Sequence, residues 1–389
     1  MHRSASFLLF LLPALAIYGG AHYYLWARLI RASALPAPWH VVLSVLLVGL
    51  ALTVPAVFLI ARLFGWSGSD VFMWPGFVWT GLLLFLLLTL LSVDVARLLG
   101  LGVTRLVAPE LLSDPGRRLF LARIVAGGAT VIAAGLSGYA IHSAVAGPGL
   151  RRLKVALARL PQALHGFKIV QLSDLHVGRT IGRAYVEEVV RQVQEQEPDL
   201  IAITGDLFDG SPAQLAEAVA PIAELTAPHG VFFVTGNHDH YSGVEPWLAW
   251  LRRRGVRVLR NERVQIGTEA ASFDLAGVDD SYFSADVARA LEGQDPRREL
   301  VLLAHQPQEV KNAVEHRVGL QLSGHTHGGQ IFPFTLFAKR LFHWVAGLYQ
   351  IGETQLYVSR GTGYVGPPMR LGAPSEITCI ELQAVAGPS

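Results

Sequence analysis

Four long apolar runs near the N-terminus constrain the fold of this chain more than any other feature of its sequence. They cover residues 7–30, 40–61, 71–93 and 124–146. Each is long enough to cross the hydrocarbon core of a bilayer as an α-helix, which takes about 20 residues. A secretory signal peptide would be one shorter run with a cleavage site, and a soluble helical bundle would require polar stripes that these runs lack. We therefore predict four membrane-spanning helices and an integral, multi-pass protein of the plasma (inner) membrane.

Basic residues near the ends of these runs bear on the orientation of the chain. Four crossings place the N-terminus and the C-terminal region on the same side of the membrane. Five lysines and arginines lie on that side and six on the other, where they cluster in a predicted loop at 97–118. By the positive-inside rule, the side with more basic residues is cytoplasmic. The small difference favours an extracytoplasmic C-terminal region but does not decide its orientation.

The composition changes after "GPGLRR", near residue 151. Shorter apolar runs follow and alternate with helical patterns such as "AYVEEVVRQVQEQ" at 184–196. Buried strands that alternate with helices predict a sheet covered on both faces, and shorter strand-like pieces between residues 264 and 278 suit a second sheet packed on the first. We predict two domains: an α-helical transmembrane region over 1–150, followed by an α/β domain over 151–389.

Five predicted strands of the second domain each end in Asp, Asn or His. In an open α/β sheet, the carboxyl ends of the strands lie side by side and form the ligand crevice. One polar cluster after a strand can arise by chance, but five in chain order indicate a site. The sequences are "QLSDLHVG" with Asp174 and His176, "AITGDLFDG" with Asp206 and Asp209, "FVTGNHDH" with Asn237, His238, Asp239 and His240, "LLAHQP" with His305, and "LSGHTHGG" with His325 and His327.

The residue types in these clusters indicate metal chemistry. Carboxylate, amide oxygen and imidazole ligands suit Mn, Fe or Zn. Cys379 is the only cysteine, which excludes a Cys-type structural zinc site. The ligands are too many for one ion and enough for two, and a pair of ions about 3.5–4 Å apart can clamp the attacking and leaving oxygens of a phosphoryl displacement. Glycines on both sides of His325 and His327 would let the backbone turn sharply, so that both imidazoles face one cavity.

The motifs D-x-H, G-D-x-x-D, G-N-H-D, a later His and G-H-x-H occur in this order between residues 168 and 331. Together they resemble the calcineurin-like metallophosphoesterase family. The stretch "VSRGTGYVGPPMRLGAPSEITCIEL" at 358–382 is similar to the ends of the membrane-linked bacterial branch of that family, which includes exported phosphodiesterases and an enzyme that cleaves a UDP-diacylglucosamine pyrophosphate. The resemblance implies a four-layer α/β/β/α sandwich and a hydrolase that acts on phosphate ester bonds.

The resemblance also implies roles for individual residues. Asp206 would bridge two divalent metal ions, and a hydroxide activated between them would attack phosphorus in line. His238 resembles the family histidine that binds a phosphate oxygen or protonates the leaving group, so Asp206 and His238 are the predicted catalytic residues. The first ion would be held by Asp174, His176, Asp206 and His327, and the second by Asp206, Asn237, His305 and His325.

Several neighbouring residues keep two interpretations. Asp209 suits either the orientation of ligands or a direct part in the chemistry. Residues 239–241 suit either the wall of the pocket or the cap of a following helix. Arg360 and Arg370 suit either a substrate phosphate or a salt bridge at the surface.

The segment "IFPFTLFAKRLFHWVAGLY" at 331–349 is very apolar for a loop beside such a site. One interpretation is a helix that covers the core. The other is a segment that dips into the membrane interface and admits a lipid head group. In the second case the phosphate-ester substrate would be lipid-linked, membrane lipids would be partners, and the protein would act in lipid metabolism. The bond cleaved stays open between a phosphomonoester, a phosphodiester and a pyrophosphate.

The sequence also bears on rival functions. A nuclease would carry a strongly basic patch with interleaved aromatic residues, which is not found here, so nucleic acid is not an expected partner. A membrane sensor or transporter with a regulatory phosphoesterase domain is the alternative from a different class. The intact ligand set argues against an inactive domain, and the charge-poor helices argue against transport. The prediction is therefore a membrane-bound, metal-dependent phosphoesterase.

Overall fold

A computed structural model gives the backbone of residues 2–64, 70–107 and 114–385. Side chains are described throughout these ranges except at residues 2–12, 58, 61–64, 70–72 and 101–107. The chain divides into two compact units, Met1–Tyr139 and Ala140–Ser389.

Long helices make up the N-terminal unit. Among the residues whose side chains are described, three stretches are long and apolar enough to cross a membrane, by length and composition: Ala37–Val57, Met73–Gly100 and Pro115–Val145. The first predicted span, at 7–30, falls partly on residues whose side chains lie outside the described part of the chain. The helices are α1 (His2–Leu25), which continues as a π-helical stretch (Trp26–Arg31), α2 (Ala37–Phe64), α3 (Asp70–Val107) and α4 (Pro115–Val145).

Helix α3 is longer than the predicted span at 71–93, because it continues to Val107. The prediction of a loop from residue 97 is therefore wrong over 97–107. The leucine-rich sequence there favours helix, and adding residues to an existing helix is easier than starting a new one. The count of basic residues that favoured an extracytoplasmic domain loses part of its basis, since Arg97 lies within a helix.

Two six-stranded sheets form the centre of the C-terminal unit. The strand order is β1-β12-β2-β3-β4-β5 in the first sheet and β10-β11-β9-β8-β7-β6 in the second. The strands are β1 (Gly149–Leu157), β2 (Lys168–Leu172), β3 (Leu200–Thr204), β4 (Val231–Val234), β5 (Arg257–Val258), β6 (Glu262–Gly267), β7 (Ser272–Gly277), β8 (Glu299–Leu303), β9 (Leu320–Ser323), β10 (Gly347–Ile351), β11 (Thr354–Val358) and β12 (Glu376–Ala384).

Helices cover the outer faces of both sheets. The longer helices of this unit contribute apolar side chains to these outer layers, as Val189 of α5 does on the first sheet and Ala313 of α10 on the second. The helices are α5 (Arg183–Gln194), α6 (Pro212–Val219), α7 (Asn237–Tyr241), α8 (Val244–Arg252), α9 (Val287–Ala290), α10 (Val310–Glu315) and α11 (Phe334–Leu341).

The two sheets pack face to face on a shared apolar core. Ile169 and Phe232 of the first sheet lie in one buried cluster with Leu275, Leu303 and Tyr357 of the second. Strands such as β3 are buried at every position, because one face meets the other sheet and the opposite face meets helices. The predicted four-layer α/β/β/α sandwich is confirmed.

Strand direction brings the polar loops together. In the first sheet β2, β3 and β4 are adjacent and parallel, and in the second β7, β8 and β9 are too. The loop after β9 reaches across to the first sheet, where the backbone N–H of His325 donates to Asp174 Oδ1 at 2.9 Å. The carboxyl ends of strands from both sheets therefore border one site.

Candidate metal centre

Acidic and histidine side chains from five loops converge where these strands end. Among the described residues, their possible ligand atoms form three groups, and the atoms within each group lie within 4.8 Å of one another. His176 and Asp206 each belong to two groups, so the groups form one continuous site. The groups are Asp174, His176 and His327; His176, Asp206 and His238; and Asp206, His305 and His325.

Five of the predicted ligands have a left-handed backbone conformation. This conformation is uncommon for residues other than glycine, and it persists where the surrounding structure holds it in place, often at functional sites. At each of these positions the chain turns sharply as it leaves a strand, which aims the side chain into the site. The φ angles are 52° at Asp174, 50° at His176, 53° at Asp206, 71° at His325 and 51° at His327.

Glycines allow the loops to approach one another closely. A Cβ atom at Gly324 would lie 1.9 Å from Ser173 Oγ and 2.1 Å from Asp174 Oδ2. A Cβ atom at Gly236 would lie 2.2 Å from Asp206 Oδ1. Any larger residue at these two positions would displace a carboxylate of the site, so here the glycines are required by space.

Asp206 lies at the centre of the site and is buried. Its Oδ1 accepts the backbone N–H of His238 at 2.8 Å. Its Oδ2 lies 3.1 Å from His305 Nε2 and 3.8 Å from His176 Nε2. One carboxylate thus faces imidazoles from two different groups.

Two ligand atoms are poised for a cation. The buried Asn237 Oδ1 has no hydrogen-bond partner among the described residues, and leaving a buried acceptor unsatisfied costs about 1–3 kcal/mol. His305 Nδ1 lies 2.8 Å from the carbonyl oxygen of Thr204. Nδ1 therefore donates its proton to that carbonyl, which leaves the Nε2 lone pair free for a metal, as is usual for metal-binding histidines.

His176 and His327 face each other through their Nε2 atoms at 3.1 Å. His176 Nδ1 lies 3.1 Å from Asp209 Oδ2, so the Nδ1–H group donates to that carboxylate. The Nε2 atom of His176 then faces the imidazole of His327. The Nε2 atom of His327 in turn lies 3.5 Å from Asp174 Oδ1. A positive ion among these atoms would satisfy all of them.

The pKa values of His176 and His305 respond to the carboxylates around them. Burial lowers the pKa of His176, but Asp209 and Asp206 outweigh it and raise the pKa to about 9. For His305, burial is likewise outweighed, by Asp206 and Asp174, and its pKa rises to about 10. Burial raises the pKa of Asp174, because nothing nearby fully compensates its charge. The donor set and the charge balance fit divalent cations.

The side chain of His238 is 32% exposed, whereas His176, His305 and His327 are buried. Its Nδ1 lies 2.8 Å from Asp209 Oδ1. The other oxygen of the same carboxylate contacts His176. Asp209 therefore joins a predicted ligand to the predicted catalytic histidine, which favours the orienting interpretation of this residue.

Asp239 and His240 have structural contacts. The buried carboxylate of Asp239 accepts the backbone N–H groups of Asp206, Leu207 and Gly236 at 2.8–2.9 Å, and so ties the loop after β3 to the loop after β4. The sequence suggested a helix cap for Asp239 but not this tie between loops. His240 Nε2 lies 2.8 Å from Asp279 Oδ1.

The two arginines that the sequence left open have different environments. Arg360 lies 3.6 Å from Glu376, which agrees with a salt bridge. Arg370 is fully buried and donates to the carbonyl oxygens of Gly363 and Ala373 at 2.9 Å. Its guanidinium also lies 3.1 Å from His327 Nδ1, so it supports the loop that carries His327 and fits neither the substrate-phosphate nor the surface interpretation. The apolar neighbours Met369 and Leu371 are the sequence signal that could have indicated its burial.

Comparisons with known proteins identify the family to which this domain is similar. The model of the calcineurin-like phosphoesterase family matches residues 167–329. A transmembrane protein with a metallophosphoesterase domain from Bos taurus is 42% identical over 289 residues, which cover 70% of this chain and 64% of that protein. Its Danio rerio counterpart is 38% identical over 270 residues, 66% of this chain and 62% of that protein. The chain thus spans less than two thirds of the length of these two relatives.

A solved structure and a full-length relative extend the comparison. A dimetal phosphatase from Danio rerio covers 56% of this chain and 93% of its own, with a TM-score of 0.37 and 13% identity. The fold class follows from the two sheets described above, independently of this distant likeness. An uncharacterized metallophosphoesterase of Campylobacter jejuni is 32% identical over 381 residues, which cover 97% of this chain and 99% of that protein. The chain belongs to the calcineurin-like metallophosphoesterase family.

Proposed function

We propose that this protein is a membrane-bound phosphoesterase that hydrolyses its substrate with two divalent metal ions. The observation that carries the proposal is the sharing of Asp206 between two groups of possible ligands, one containing His176 and the other His305 and His325. A shared carboxylate is what a pair of ions needs as a bridge. Bound there, the ions would neutralise the phosphoryl oxygens and supply an activated water for in-line attack.

Each ion would have its own set of ligands around the bridge. Oxygen and imidazole donors suit Mn, Fe or Zn. We assign Asn237 to the second ion because its buried Oδ1 has no partner among the described residues, and the backbone N–H of the next residue, His238, donates to Asp206 Oδ1. The first ion would be held by Asp174, His176, Asp206 and His327, and the second by Asp206, Asn237, His305 and His325.

His238 would act on the substrate itself. With Nδ1 engaged by Asp209, its Nε2 is the ring atom left to face a phosphate oxygen or the leaving group. Its partial exposure gives it access to a substrate that the buried ligands His176, His305 and His327 do not have. A histidine in this position can bind the phosphate or transfer a proton to the departing oxygen.

The substrate we propose is lipid-linked. A cavity of about 340 Å³ lies beside His325 and is walled in part by Phe342 and Trp344, with the basic Lys311 at its edge. Apolar walls beside a phosphoryl-transfer site suit a head group that carries acyl chains. Replacing Phe342 and Trp344 by Ser should lower turnover on lipid vesicles and spare a soluble phosphodiester. Equal loss on both substrates would contradict a lipid-linked substrate.

The membrane part of the proposal is an integral, multi-pass protein of the plasma (inner) membrane with an extracytoplasmic domain. Three stretches of membrane-spanning length and composition support it. The face can be tested in a Cys379→Ser background with a cysteine at the exposed Val314. An extracytoplasmic domain should react with a membrane-impermeant thiol reagent after only the outer membrane is opened. Reaction only after complete lysis would place the domain in the cytoplasm.

The hydrolytic part is tested with the full chain, metal-stripped and titrated with Mn, on bis-p-nitrophenyl phosphate. We expect Mn-dependent turnover and two bound ions per chain by elemental analysis. Asp206→Asn should lose turnover and bind fewer ions, while Asp295→Asn, in an exposed ion pair with Arg297, should behave as the unmodified protein. Unchanged turnover in Asp206→Asn, or hydrolysis without metal, would overturn the proposal. A folded protein with no turnover on any phosphate ester would favour a regulatory domain.

A further inference from the structure

Helix α11 and the turn before it expose a run of apolar side chains. Phe332, Phe334, Leu336, Phe337 and Leu341 are each between 45 and 77% exposed. Single exposed apolar residues are normal on a soluble surface, but a contiguous group of large ones marks an interaction surface. Phe334, Phe337 and Leu341 recur at positions i, i+3 and i+7 of this helix and so share one side; we refer to these three side chains as the α11 apolar face.

The α11 apolar face is not part of the domain core. Within the helix only Ala338 is buried, so the interpretation of 331–349 as a core-covering helix does not hold for this part. Two other aromatic residues of the segment point inward instead. The Phe342 ring lies 5.7 Å from the ring of His325, and Trp344 packs against a buried cluster that contains Val310.

Charge around the α11 apolar face is positive. Lys339 and Arg340 are exposed on the helix itself. No acidic residue occurs in the sequence between Glu315 and Glu353. Large apolar side chains beside basic ones, on a helix with a strongly apolar side, are the features of helices that lie in the interface of a membrane with anionic lipids.

The chain itself keeps the domain near a bilayer. Helix α4, one of the stretches long and apolar enough to span, ends at Val145, and β1 begins at Gly149. A linker this short makes any contact with the membrane surface an intramolecular event with a high effective concentration. Weak binding of the domain to the membrane interface is therefore sufficient to keep it docked.

We propose that the α11 apolar face docks on an anionic bilayer surface, with its aromatic and aliphatic side chains at the boundary between head groups and acyl chains. The docking does not depend on catalysis. Its consequence rests on the proposed function: Leu341, at the end of the helix, also lines the cavity beside His325, so docking would bring the mouth of that cavity to the lipid.

The test uses the full chain in vesicles of phosphatidylglycerol and phosphatidylcholine. In a Cys379→Ser background, Phe337→Cys carries an environment-sensitive fluorophore, and Val314→Cys, exposed on helix α10, is the matched control. We expect blue-shifted emission at position 337 and strong quenching when the lipids carry brominated acyl chains. The label at position 314 should show neither.

A second variant tests the charge contribution. Lys339→Glu combined with Arg340→Glu should reduce quenching at position 337 in anionic vesicles. Arg252→Glu combined with Arg253→Glu is the matched control, because both arginines are exposed elsewhere on the domain. This control should leave the quenching at position 337 unchanged. Equal quenching in all three proteins would overturn the electrostatic part of the proposal.

Two measurements, lipid quenching and hydrolysis, separate docking from catalysis. A label at 337 that stays in water overturns the docking, and so does a label that is shielded without lipid quenching, which would point to a second copy or another protein. Mn-dependent hydrolysis of bis-p-nitrophenyl phosphate is measured on the same samples. Hydrolysis without quenching overturns the docking alone, and quenching without hydrolysis overturns the proposed function alone.

Discussion

The two regions of this chain treat apolar side chains in opposite ways. Of the three membrane-length stretches, only 6%, 22% and 17% of the most apolar windows are buried. In the C-terminal unit, β3 is buried at every position and the inter-sheet core is continuous. Helices of this length and composition suit lipid as their solvent, because a helix satisfies its own backbone hydrogen bonds. The C-terminal domain instead buries its apolar side chains in its own core.

Polar groups differ between the two regions as well. In the helical unit, Asp94 accepts a hydrogen bond from Tyr24 Oη at 2.6 Å and pairs with Arg28. In the domain, buried carboxylates such as Asp206 and Asp239 each have several partners. A region that builds a closed interior can bury many charged groups with their partners, and this is what makes a metal site possible there.

The largest expected effect concerns His238, whose side chain is partly exposed. His238→Ala should lower kcat on a soluble diester by about 10²–10⁴-fold, the usual contribution of a group that transfers a proton in the transition state. The metal content should stay near that of the unmodified protein, because His238 would act on the substrate. His316→Ala, at an exposed position of the same domain, is the control. Loss of both bound ions in His238→Ala would instead make this residue a ligand.

A lysine introduced at an exposed position of each region tests whether that surface faces lipid or water. Val131, 72% exposed in α4, faces lipid in our account, so Val131→Lys should disfavour membrane insertion by about 2.5–3.5 kcal/mol. Val314→Lys, exposed on the domain, should change stability by less than about 0.5 kcal/mol. The fraction of each protein recovered in carbonate-washed membranes measures the difference. Equal recovery of the two lysine variants would remove the distinction between the regions.

Asp279 tests the polar network of the domain. Burial would raise the pKa of this carboxyl, but hydrogen bonds from His240, Thr235, Ser284 and Arg260 hold it well below its usual range. A lowered pKa means that this stabilisation is present above the unfolded value, about 3.9, and is lost as the pH falls below it. Asp279→Asn should lower the unfolding free energy by about 1.5–3 kcal/mol at neutral pH, as expected for bonds to a charged group.

Thermal unfolding of the two proteins between neutral pH and pH 3 measures this contribution. The difference between Asp279→Asn and the unmodified protein should shrink as the pH falls below about 4. A difference that stays constant with pH would mean that the charge of Asp279 contributes nothing.

The smallest of these effects is expected at Asp209, which orients His176 and His238 without being a predicted ligand. Asp209→Asn should lower metal affinity or activity by about 10–100-fold, the usual cost of losing a group behind a metal ligand. Titration of the metal-stripped protein with Mn measures the loss of metal affinity. Turnover at saturating Mn then measures the loss of activity separately. An effect as large as that of Asp206→Asn would give Asp209 a direct part in the chemistry.

Much of the fold was predictable from the sequence because strand and helix patterns are local. β2 at 168–172 and β3 at 200–204 end just before the polar clusters that the sequence analysis placed after strands. The assignment of strands to sheets was not predictable, since β8 and β9 look like β2 and β3 in sequence but belong to the second sheet with β6 and β7. The hairpin β10–β11 was missed because it falls after an apolar segment with no alternating pattern.

The residue types of the candidate site, and their position after strands, were also readable from the sequence. Strand ends are local features of a sequence. The order of the five motifs indicated the calcineurin-like metallophosphoesterase family. Which residues touch was not readable. The double contact of Asp209 with His176 and His238, and the tie that Asp239 makes between two loops, join residues about 30 positions apart, and such pairs depend on the packing of whole strands.

The sequence by itself determined that this protein has membrane-length apolar helices, an α/β domain and an ordered set of metal-type ligands, because composition and periodicity act within a few turns or one strand. Only the tertiary structure decided how Asp206 comes to face imidazoles from both sheets, why Arg370 lies buried behind His327, and that Phe334 and Phe337 face outward while Phe342 faces the site. Those facts depend on which surfaces meet when two sheets pack, and no local pattern carries that information.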